Sequence, residues 1–153
     1  MQFITNSSQE TQHLAKELTP SLKIGDVVLL IGPLGVGKTL FVKGILRGLG
    51  IRSIVRSPSF TIIREYKTRA MKVCHIDLYR IKTVAELCNL GYEDYFYSPS
   101  GITLIEWADK IEEIVPRHIK VYLEYQGLNR RKIQIGVKNR PKIKWLADES
   151  VRN

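Results

Sequence analysis

Gly32-Pro33-Leu34-Gly35-Val36-Gly37-Lys38-Thr39 is a complete match to the phosphate-binding loop pattern G-x-x-x-x-G-K-[ST]. Five apolar residues, Val27 to Ile31, precede this loop and predict a buried strand. A predicted helix follows it, with Gly48 and Gly50 as stop signals and apolar residues at helical spacing: Leu40, Phe41, Ile45, Leu46 and Leu49. Because strand, glycine loop and helix occur in this order, we interpret the match as a nucleotide site rather than a chance glycine-rich turn.

Each residue type in this loop has a chemical reason to be there. Glycines allow successive backbone N–H groups to point toward an anion, and the helix that follows adds its free N–H groups and positive dipole end. Lys38 is predicted to reach the β- and γ-phosphates, and the Thr39 hydroxyl is predicted to bind Mg²⁺. The residues predicted to contact the nucleotide here are Gly32, Gly35, Val36, Gly37, Lys38, Thr39 and Leu40.

Strands and helices alternate along the rest of the chain, which predicts an α/β fold. The predicted strands are 27–31, 53–56, 61–66, 71–78, 102–107, 119–125 and 132–137. The predicted helices start at two capping boxes (7–10 and 83–86), follow the phosphate loop, and cover 109–115 and 143–147, with one more helical turn in 92–97. Short loops join 61–66 to 71–78 and 119–125 to 132–137, so part of the sheet is predicted to be antiparallel.

Length and composition indicate one globular domain without a membrane span. The chain has 153 residues, of which 44% are hydrophobic, and no apolar run approaches the roughly 18 residues that a span needs. The N-terminal residues lack the basic start and apolar stretch of a secretion signal, so a cytoplasmic protein is expected. Cys74 and Cys88 lack metal-type spacing and are interpreted as buried, reduced thiols, with a disulfide as the alternative.

The net charge of +9 is concentrated toward one end of the chain. Residues 129–144 contain no acidic residue and seven basic ones: Arg130, Arg131, Lys132, Lys138, Arg140, Lys142 and Lys144. This segment predicts a surface for RNA phosphates or for an acidic partner, or else a solvated basic face. Since no aromatic-rich RNA motif accompanies it, we do not predict direct reading of a nucleic-acid sequence.

Two carboxylates, Asp77 and Glu106, each end a predicted apolar strand. Ligands collect at the carboxyl ends of strands in α/β sheets, and a nucleotide-bound Mg²⁺ needs a carboxylate there. We therefore predict that one of the two binds the metal while the other orients the attacking water, with either assignment open. Surface carboxylates at strand ends are the alternative, and His75 is interpreted as a packed histidine rather than a ligand.

A second polar loop, Ser57-Pro58-Ser59-Phe60-Thr61, could sense the γ-phosphate as switch loops do. On spacing alone, an ordinary proline turn is the better interpretation. The chain contains no guanine-selecting N-K-x-D motif, which disfavours a GTPase.

Taken together and in this order, these segments resemble the TsaE family, formerly YjeE. The matching stretches are GPLGVGKT (32–39), SPSFT (57–61), HIDLYR (75–80), GYEDYF (91–96), LIEW (104–107) and the final hairpin with Arg130. The resemblance covers nearly the whole chain. It implies a single P-loop NTPase-like domain over 1–153, with three α/β/α layers and a mixed, partly antiparallel sheet.

The resemblance also implies an activity and partners. A protein of this kind would bind ATP and Mg²⁺ and hydrolyse ATP slowly on its own. It would act with TsaD and TsaB, of which TsaD transfers a threonylcarbamoyl group onto tRNA, and its ATPase would reset that complex between turnovers. Contact with tRNA would be indirect, or direct through the basic 129–144 segment.

Carried over by motif, Lys38 would bind phosphate, Thr39 would bind Mg²⁺, and Asp77 and Glu106 would be the essential carboxylates. Trp107 would lie beside these carboxylates, Thr61 would belong to the switch-like loop, Arg130 would approach the nucleotide, and residues 8–11 would border the adenine. The chain departs from the family pattern at Pro33, Val36 and Ser59. Pro33 removes one backbone donor from the loop, at a position where binding is expected to survive.

Two other functions remain open at the level of sequence. One is a nucleotide-switched binding module with negligible turnover. The other is a small-molecule P-loop kinase, although such kinases usually close an arginine-bearing lid over the phosphates. Here the arginines cluster only at 130–131, on a predicted hairpin, which favours the ATPase over the kinase.

Overall fold

A computed structural model describes residues 1–52, 55–56 and 62–141 of the chain. Its seven strands form one sheet: β1 (Gln2–Thr5), β2 (Val27–Ile31), β3 (Ile63–Lys67), β4 (Lys72–Asp77), β5 (Gly101–Glu106), β6 (His118–Tyr125) and β7 (Arg131–Lys138). Its α-helices are α1 (Ser8–Leu18), α2 (Lys38–Gly48) and α3 (Val84–Asn89).

The sheet is mixed, as the sequence predicts. Its strand order is β1-β7-β6-β2-β5-β4-β3, and β2 lies between β5 and β6 as a parallel neighbour of both. β4 continues the parallel set beside β5, whereas the β3–β4, β6–β7 and β1–β7 pairs are antiparallel. Every residue of β2 is buried, which accounts for its unbroken apolar sequence. The carboxyl ends of β2, β4 and β5 consequently meet at one edge of the sheet.

The helices α1 and α2 cover one face of the sheet, and the short helix α3 with several 3₁₀ turns covers the other. The first core combines the apolar faces of α1 and α2 with inward residues of β2, β5, β6 and β7. Gly44 of α2 allows α1 to approach closely, because a Cβ at this position would lie 2.3 Å from the Gln12 carbonyl oxygen. The second core lies under α3 and several 3₁₀ turns.

Both predicted capping boxes are present at the starts of helices. The Ser7 hydroxyl accepts from the Glu10 N–H at 3.1 Å, and the Thr83 hydroxyl accepts from the Glu86 N–H at 3.2 Å. Each side chain satisfies a backbone donor that would otherwise lack a partner in the first helical turn. The local sequence therefore sets where α1 and α3 begin.

Two element predictions differ from the structure within the described residues, and one strand of the structure was not predicted. Residues 109–115 form two 3₁₀ turns, Ala108–Lys110 and Glu112–Ile114, rather than an α-helix, since Ile111 between them has φ −127° and ψ 0°. Val55 and Arg56 lie outside any strand, and the rest of that predicted strand lies outside the described residues, as does the predicted helix 143–147. The edge strand β1 has no sequence prediction because only four residues form it.

The basic 129–144 segment has several internal partners. Arg140 forms a nearly buried ion pair with Asp26, with Nη2 2.6 Å from Oδ2, and Lys132 Nζ lies 2.9 Å from a Glu124 carboxylate oxygen. Arg130 and Lys138 are exposed, and Lys142 and Lys144 lie outside the described residues. Arg140 is therefore a structural residue rather than a free phosphate ligand.

The two cysteines differ from each other in environment. Cys74 is buried, and this burial, with a smaller effect of the Glu65 charge, raises the pKa of its thiol to about 12. Cys88 is exposed, so the prediction of two buried thiols is wrong for Cys88, although both are free. Among the described helices, none has the length and apolar character needed to cross a membrane.

Candidate nucleotide site

The phosphate loop joins the end of β2 to the start of α2, as its pattern predicts. Gly37 precedes the first helical residue with φ +113°, a backbone conformation that side-chain-bearing residues rarely adopt. Gly32 has φ +150°, and a Cβ there would lie 2.3 Å from the Leu123 carbonyl oxygen of β6. These glycines are thus required both by backbone conformation and by the close approach of the neighbouring strand.

Lys38 is the most enclosed cation of the site, with 4% relative exposure. Its Nζ donates to the Gly32 carbonyl at 2.6 Å and to the Pro33 carbonyl at 2.8 Å, so it folds back over its own loop. Burial lowers the pKa of its ammonium group, and the charges of Glu106, Asp77 and Asp109 partly oppose this effect. Lys38 therefore places a positively charged hydrogen-bond donor within the phosphate loop, where it could bond to phosphate oxygens.

Thr39 and Glu106 are in direct contact although 67 positions separate them in the chain. The Thr39 hydroxyl lies 2.9 Å from Oε1 and 2.8 Å from Oε2 of Glu106. Glu106 ends β5 directly opposite Leu30 of β2, and Thr39 is the second residue of α2. The parallel pairing of β2 with β5 is what brings these two predicted metal ligands together.

Asp77 lies beside Glu106 at the ends of two adjacent strands. The two residues are register partners in the parallel β4–β5 pair, and each is 2% exposed. Oδ1 of Asp77 accepts from the Tyr79 N–H at 2.9 Å, which fixes the carboxylate at the turn after β4. Neither residue is a solvated surface carboxylate, so the structure disagrees with that alternative for both.

His75, interpreted from the sequence as a packed histidine, is buried and also makes a polar contact with Glu106. Its side chain is fully buried, and its Nε2 lies 2.7 Å from Oε1 of Glu106. Its other ring nitrogen, Nδ1, is buried and has no hydrogen-bond partner among the described residues. The period of two that places His75 and Asp77 on the same face of β4 is the sequence feature that could have indicated this contact.

Trp107, which the resemblance expects beside the two carboxylates, directly follows Glu106 in the chain and contacts Lys38. The Lys38 ammonium lies 3.7 Å from the centre of a Trp107 ring, within the range of a cation–π interaction. Trp107 itself has φ +58°, a strained conformation for a bulky residue, at the junction between β5 and the following 3₁₀ turn. Strain of this kind is typical of functional sites, where the surrounding structure enforces it.

The β6–β7 hairpin supports the loop from the other side, and the arginine that contacts the loop is Arg131. Arg131 Nε donates to the Val36 carbonyl at 2.7 Å, and a Cβ at Gly37 would lie 3.2 Å from the same Nε. Arg130 is exposed at the hairpin turn. The sequence feature that could have identified Arg131 is its phase, because alternation along β7 places it with the buried Ile133 and Ile135.

The other residues predicted to contact the nucleotide lie partly at the phosphate loop and partly elsewhere. Val36 is buried and Leu40 is partly buried, both within the loop–helix junction, and Thr61 lies outside the described residues. The start of α1 lies at the same end of the sheet as the β6–β7 hairpin turn, since Thr5, in the strand before α1, is the register partner of Arg131. Within residues 8–11, however, the Thr11 hydroxyl bonds to Thr5 and to the Ser7 carbonyl, so its contacts are internal.

The oxygen atoms at this site suit Mg²⁺. Magnesium prefers oxygen ligands, and in nucleotide sites it takes one or two from the protein and the others from phosphates and water. The Thr39 hydroxyl and the Glu106 carboxylate meet these requirements at a distance at which one ion could contact both. The buried Asp77 adds a second carboxylate beside them.

Comparisons with known proteins identify the family and support the fold. The family model described as threonylcarbamoyl adenosine biosynthesis protein TsaE matches residues 5–133. The TsaE protein of Bacillus subtilis is 40% identical over 134 residues, which are 87% of this chain and 83% of that protein. That of Aquifex aeolicus is 37% identical over 136 residues, which are 88% of this chain and 94% of that protein.

A solved structure extends the similarity to three dimensions. The crystal structure of Bacillus subtilis YdiB superposes with a TM-score of 0.79 at 33% sequence identity, covering 99% of this chain and 94% of that one. A family model over most of the chain, full-length relatives and a matching fold all lead to the same assignment: this chain belongs to the TsaE family.

Proposed function

We propose that this protein is a Mg²⁺-dependent ATPase that serves the threonylcarbamoyladenosine modification of tRNA together with TsaD and TsaB. Membership of the TsaE family supports the pathway, because the relatives are named as tRNA threonylcarbamoyladenosine biosynthesis proteins. The observation that carries the ATPase proposal is the contact between Glu106 and Thr39, the residue that follows Lys38 in the phosphate loop. This contact joins the phosphate loop to a carboxylate of the neighbouring strand, which is the arrangement that a nucleotide-bound metal requires.

Lys38 binds the phosphates by exchanging partners. Its ammonium group leaves the Gly32 and Pro33 carbonyls and bonds the β- and γ-phosphate oxygens instead. Because Lys38 is already buried, most of the cost of removing its charge from water is met before the nucleotide arrives. The loop N–H groups and the start of α2 bind the remaining phosphate oxygens.

Thr39 and Glu106 would hold the metal, and Asp77 orients the attacking water. When bound, Mg²⁺ would supply positive charge that stabilises the phosphates during transfer to water. Of the two carboxylates, Glu106 is assigned to the metal because it contacts the Thr39 hydroxyl. Asp77 is one strand further away and accepts a backbone hydrogen bond that fixes its orientation, which suits a group that positions water.

The first experiment measures ATP hydrolysis by the purified chain, with and without the TsaD–TsaB pair of the same organism. The expected result is slow release of phosphate by the chain alone and a higher rate with the pair. A rate that does not respond to the pair would contradict an accessory ATPase and favour an independent nucleotide enzyme. Phosphorylation of an added acceptor would favour the kinase.

Substitutions at the site separate binding from chemistry. Lys38→Ala removes charged hydrogen bonds worth about 1.5–3 kcal/mol each, so ATP affinity should fall at least tenfold. Asp77→Asn should retain ATP binding and lower the hydrolysis rate by about 10²–10⁴-fold, the contribution of a positioned acid–base group. Asp109→Asn is the matched control: its exposed carboxylate acts on Lys38 only through its charge, and both properties should change little.

A nucleotide-switched binding module is the second candidate, and one observation favours it. Lys38 bonds to the loop carbonyls and Thr39 bonds to Glu106, so phosphate and metal binding at these groups would exchange one set of contacts for another. Such an exchange can define two states that a partner distinguishes. If Asp77→Asn abolishes hydrolysis while tRNA modification by the reconstituted proteins continues at the normal rate, the switch is the better account.

A further inference from the structure

The Glu106 carboxylate has a second polar neighbour, His75, that the proposed mechanism does not use. Besides the two contacts with the Thr39 hydroxyl, its Oε1 lies 2.7 Å from Nε2 of His75. Glu106 is 2% exposed and His75 is fully buried. The carboxylate is therefore held from two directions, by the phosphate-loop helix on one side and by β4 on the other.

The sheet register explains how His75 reaches Glu106. Asp77 of β4 is the register partner of Glu106, and His75 precedes it by two residues on the same strand face. Such diagonal neighbours are close enough for a long side chain to bridge. Side chains on this face of β4 point toward the core beneath α2, where Val73 of the same strand is also buried.

The hydrogen in this contact belongs to the histidine. The Thr39 hydroxyl donates to both oxygens of the Glu106 carboxylate, so the carboxylate acts as an acceptor and His75 Nε2 is assigned as the donor to Oε1. Nδ1 of the same ring is buried without a partner among the described residues. The tautomer that carries its hydrogen on Nε2 fits both nitrogens, because Nδ1 then holds a bare lone pair instead of an unsatisfied N–H.

We propose that His75 is a positioning residue that orients the Glu106 carboxylate for the metal. The Nε2–H bond occupies one lone pair of Oε1 and holds that oxygen toward β4, so that Oε2, which His75 does not contact, stays beside the Thr39 hydroxyl and available to a metal ion. Groups that orient a metal ligand in this way typically account for 10–100-fold in metal affinity or activity. This inference rests on the proposed function, because it assumes that Glu106 binds the metal.

A purely structural role for His75 predicts a different result. A buried histidine that only fills space can be replaced by an apolar residue of similar size without an effect on metal binding. His118 provides the matched control, since it is also buried and its Nδ1 lies 2.7 Å from the Val115 carbonyl, at the opposite end of β6 from the hairpin. If the loss of any buried histidine lowered metal affinity, substitutions at His75 and at His118 should lower it equally.

The test compares His75→Leu, His75→Gln and His118→Leu in the full chain. Mn²⁺ binding is followed by electron paramagnetic resonance with a non-hydrolysable ATP analogue, and ATP binding without metal is followed by calorimetry in EDTA. We expect His75→Leu to weaken Mn²⁺ binding by about 10–100-fold with unchanged metal-free ATP affinity. His75→Gln, whose amide N–H can take the place of Nε2–H, should recover most of the loss, and His118→Leu should bind Mn²⁺ normally.

Three results would overturn the inference: normal Mn²⁺ affinity in His75→Leu, equal losses in His75→Leu and His118→Leu, or no recovery in His75→Gln. Should His75→Leu fail to fold, His75→Asn replaces it, because the shorter amide cannot reach Glu106 and should lose metal affinity where Gln retains it. Wild-type protein that binds no ATP analogue would refute the proposed function itself. That outcome is distinct from wild-type binding that His75 substitutions leave unchanged.

Discussion

Replacing Arg131 by methionine tests whether the β6–β7 hairpin maintains the phosphate loop in its binding shape. The substitution keeps an unbranched apolar stem of similar reach and removes the Nε donor that bonds the Val36 carbonyl at 2.7 Å. Arg131 is 8% exposed, so water cannot readily replace this donor. A hydrogen bond from a charged group contributes about 1.5–3 kcal/mol net.

The free energy of the Arg131–Val36 hydrogen bond favours the loop conformation that binds phosphate over other conformations of the loop. Apparent affinity falls by the fraction of molecules that remain competent to bind. If the whole contribution of the bond is lost from that equilibrium, the apparent Kd for ATP rises by about 10–150-fold, at 1.4 kcal/mol for each factor of ten. The loop glycines strengthen this expectation, because Gly37 packs directly on the Arg131 side chain.

The assay is calorimetric titration of ATP with Mg²⁺, accompanied by a thermal unfolding curve for each variant. Lys138→Met is the matched control, since Lys138 is exposed at the end of β7 away from the hairpin turn and its loss should leave ATP affinity unchanged. Arg131→Lys keeps the charge but lacks the Nε donor, and it should resemble Arg131→Met. Equal ATP affinities for Arg131→Met and Lys138→Met would refute the reasoning.

Two further predictions concern stability. Gly44→Ala should lower the free energy of unfolding, because overpacking against an α1 carbonyl 2.3 Å from the new Cβ costs about 1–3 kcal/mol and outweighs the roughly 1 kcal/mol gained in helix propensity. Gly136→Ala, where nothing lies within 4 Å, should be neutral or stabilising in the same denaturant titration, and equal effects would contradict the packing argument. Arg140→Ala strands the Asp26 carboxylate and should cost about 3–5 kcal/mol, whereas Lys138→Ala at an exposed position should change stability by no more than about 0.5 kcal/mol. An Arg140→Ala protein as stable as Lys138→Ala would show that the ion pair is not structural.

The hairpin contacts give the loop a rigid support that is distant in sequence. The Tyr125 hydroxyl donates to the Leu34 carbonyl at 3.0 Å, and the Leu123 carbonyl fills the space where a Gly32 side chain would project. With Arg131 on Val36, the hairpin fixes three backbone points of the loop. A change at the hairpin turn is therefore expected to reach the phosphate site through backbone contacts.

Local chemistry made much of the fold predictable. The phosphate loop, the flanking β2 and α2, and the capped starts of α1 and α3 depend on glycine conformations, apolar periodicity and side-chain caps within a few residues. The 3₁₀ turns that replace the helix predicted over 109–115 could not be foreseen. The same apolar spacing serves an irregular segment that packs on the second core, and Ile111 departs from helical geometry.

For the candidate site, sequence patterns were enough to predict the chemical groups: a phosphate loop with Lys38 and Thr39, and carboxylates at Asp77 and Glu106 that end apolar strands. Which of these groups meet depends on the tertiary structure, because the parallel register of β5 between β2 and β4 places Glu106 against Thr39 and His75. It also selected Arg131 over its neighbour, since the pleat of β7 directs alternate side chains to opposite faces. These contacts join residues tens of positions apart. Strand alternation indicates which side chains face the core, but the pairing of these side chains depends on sheet register, which is a property of the whole core.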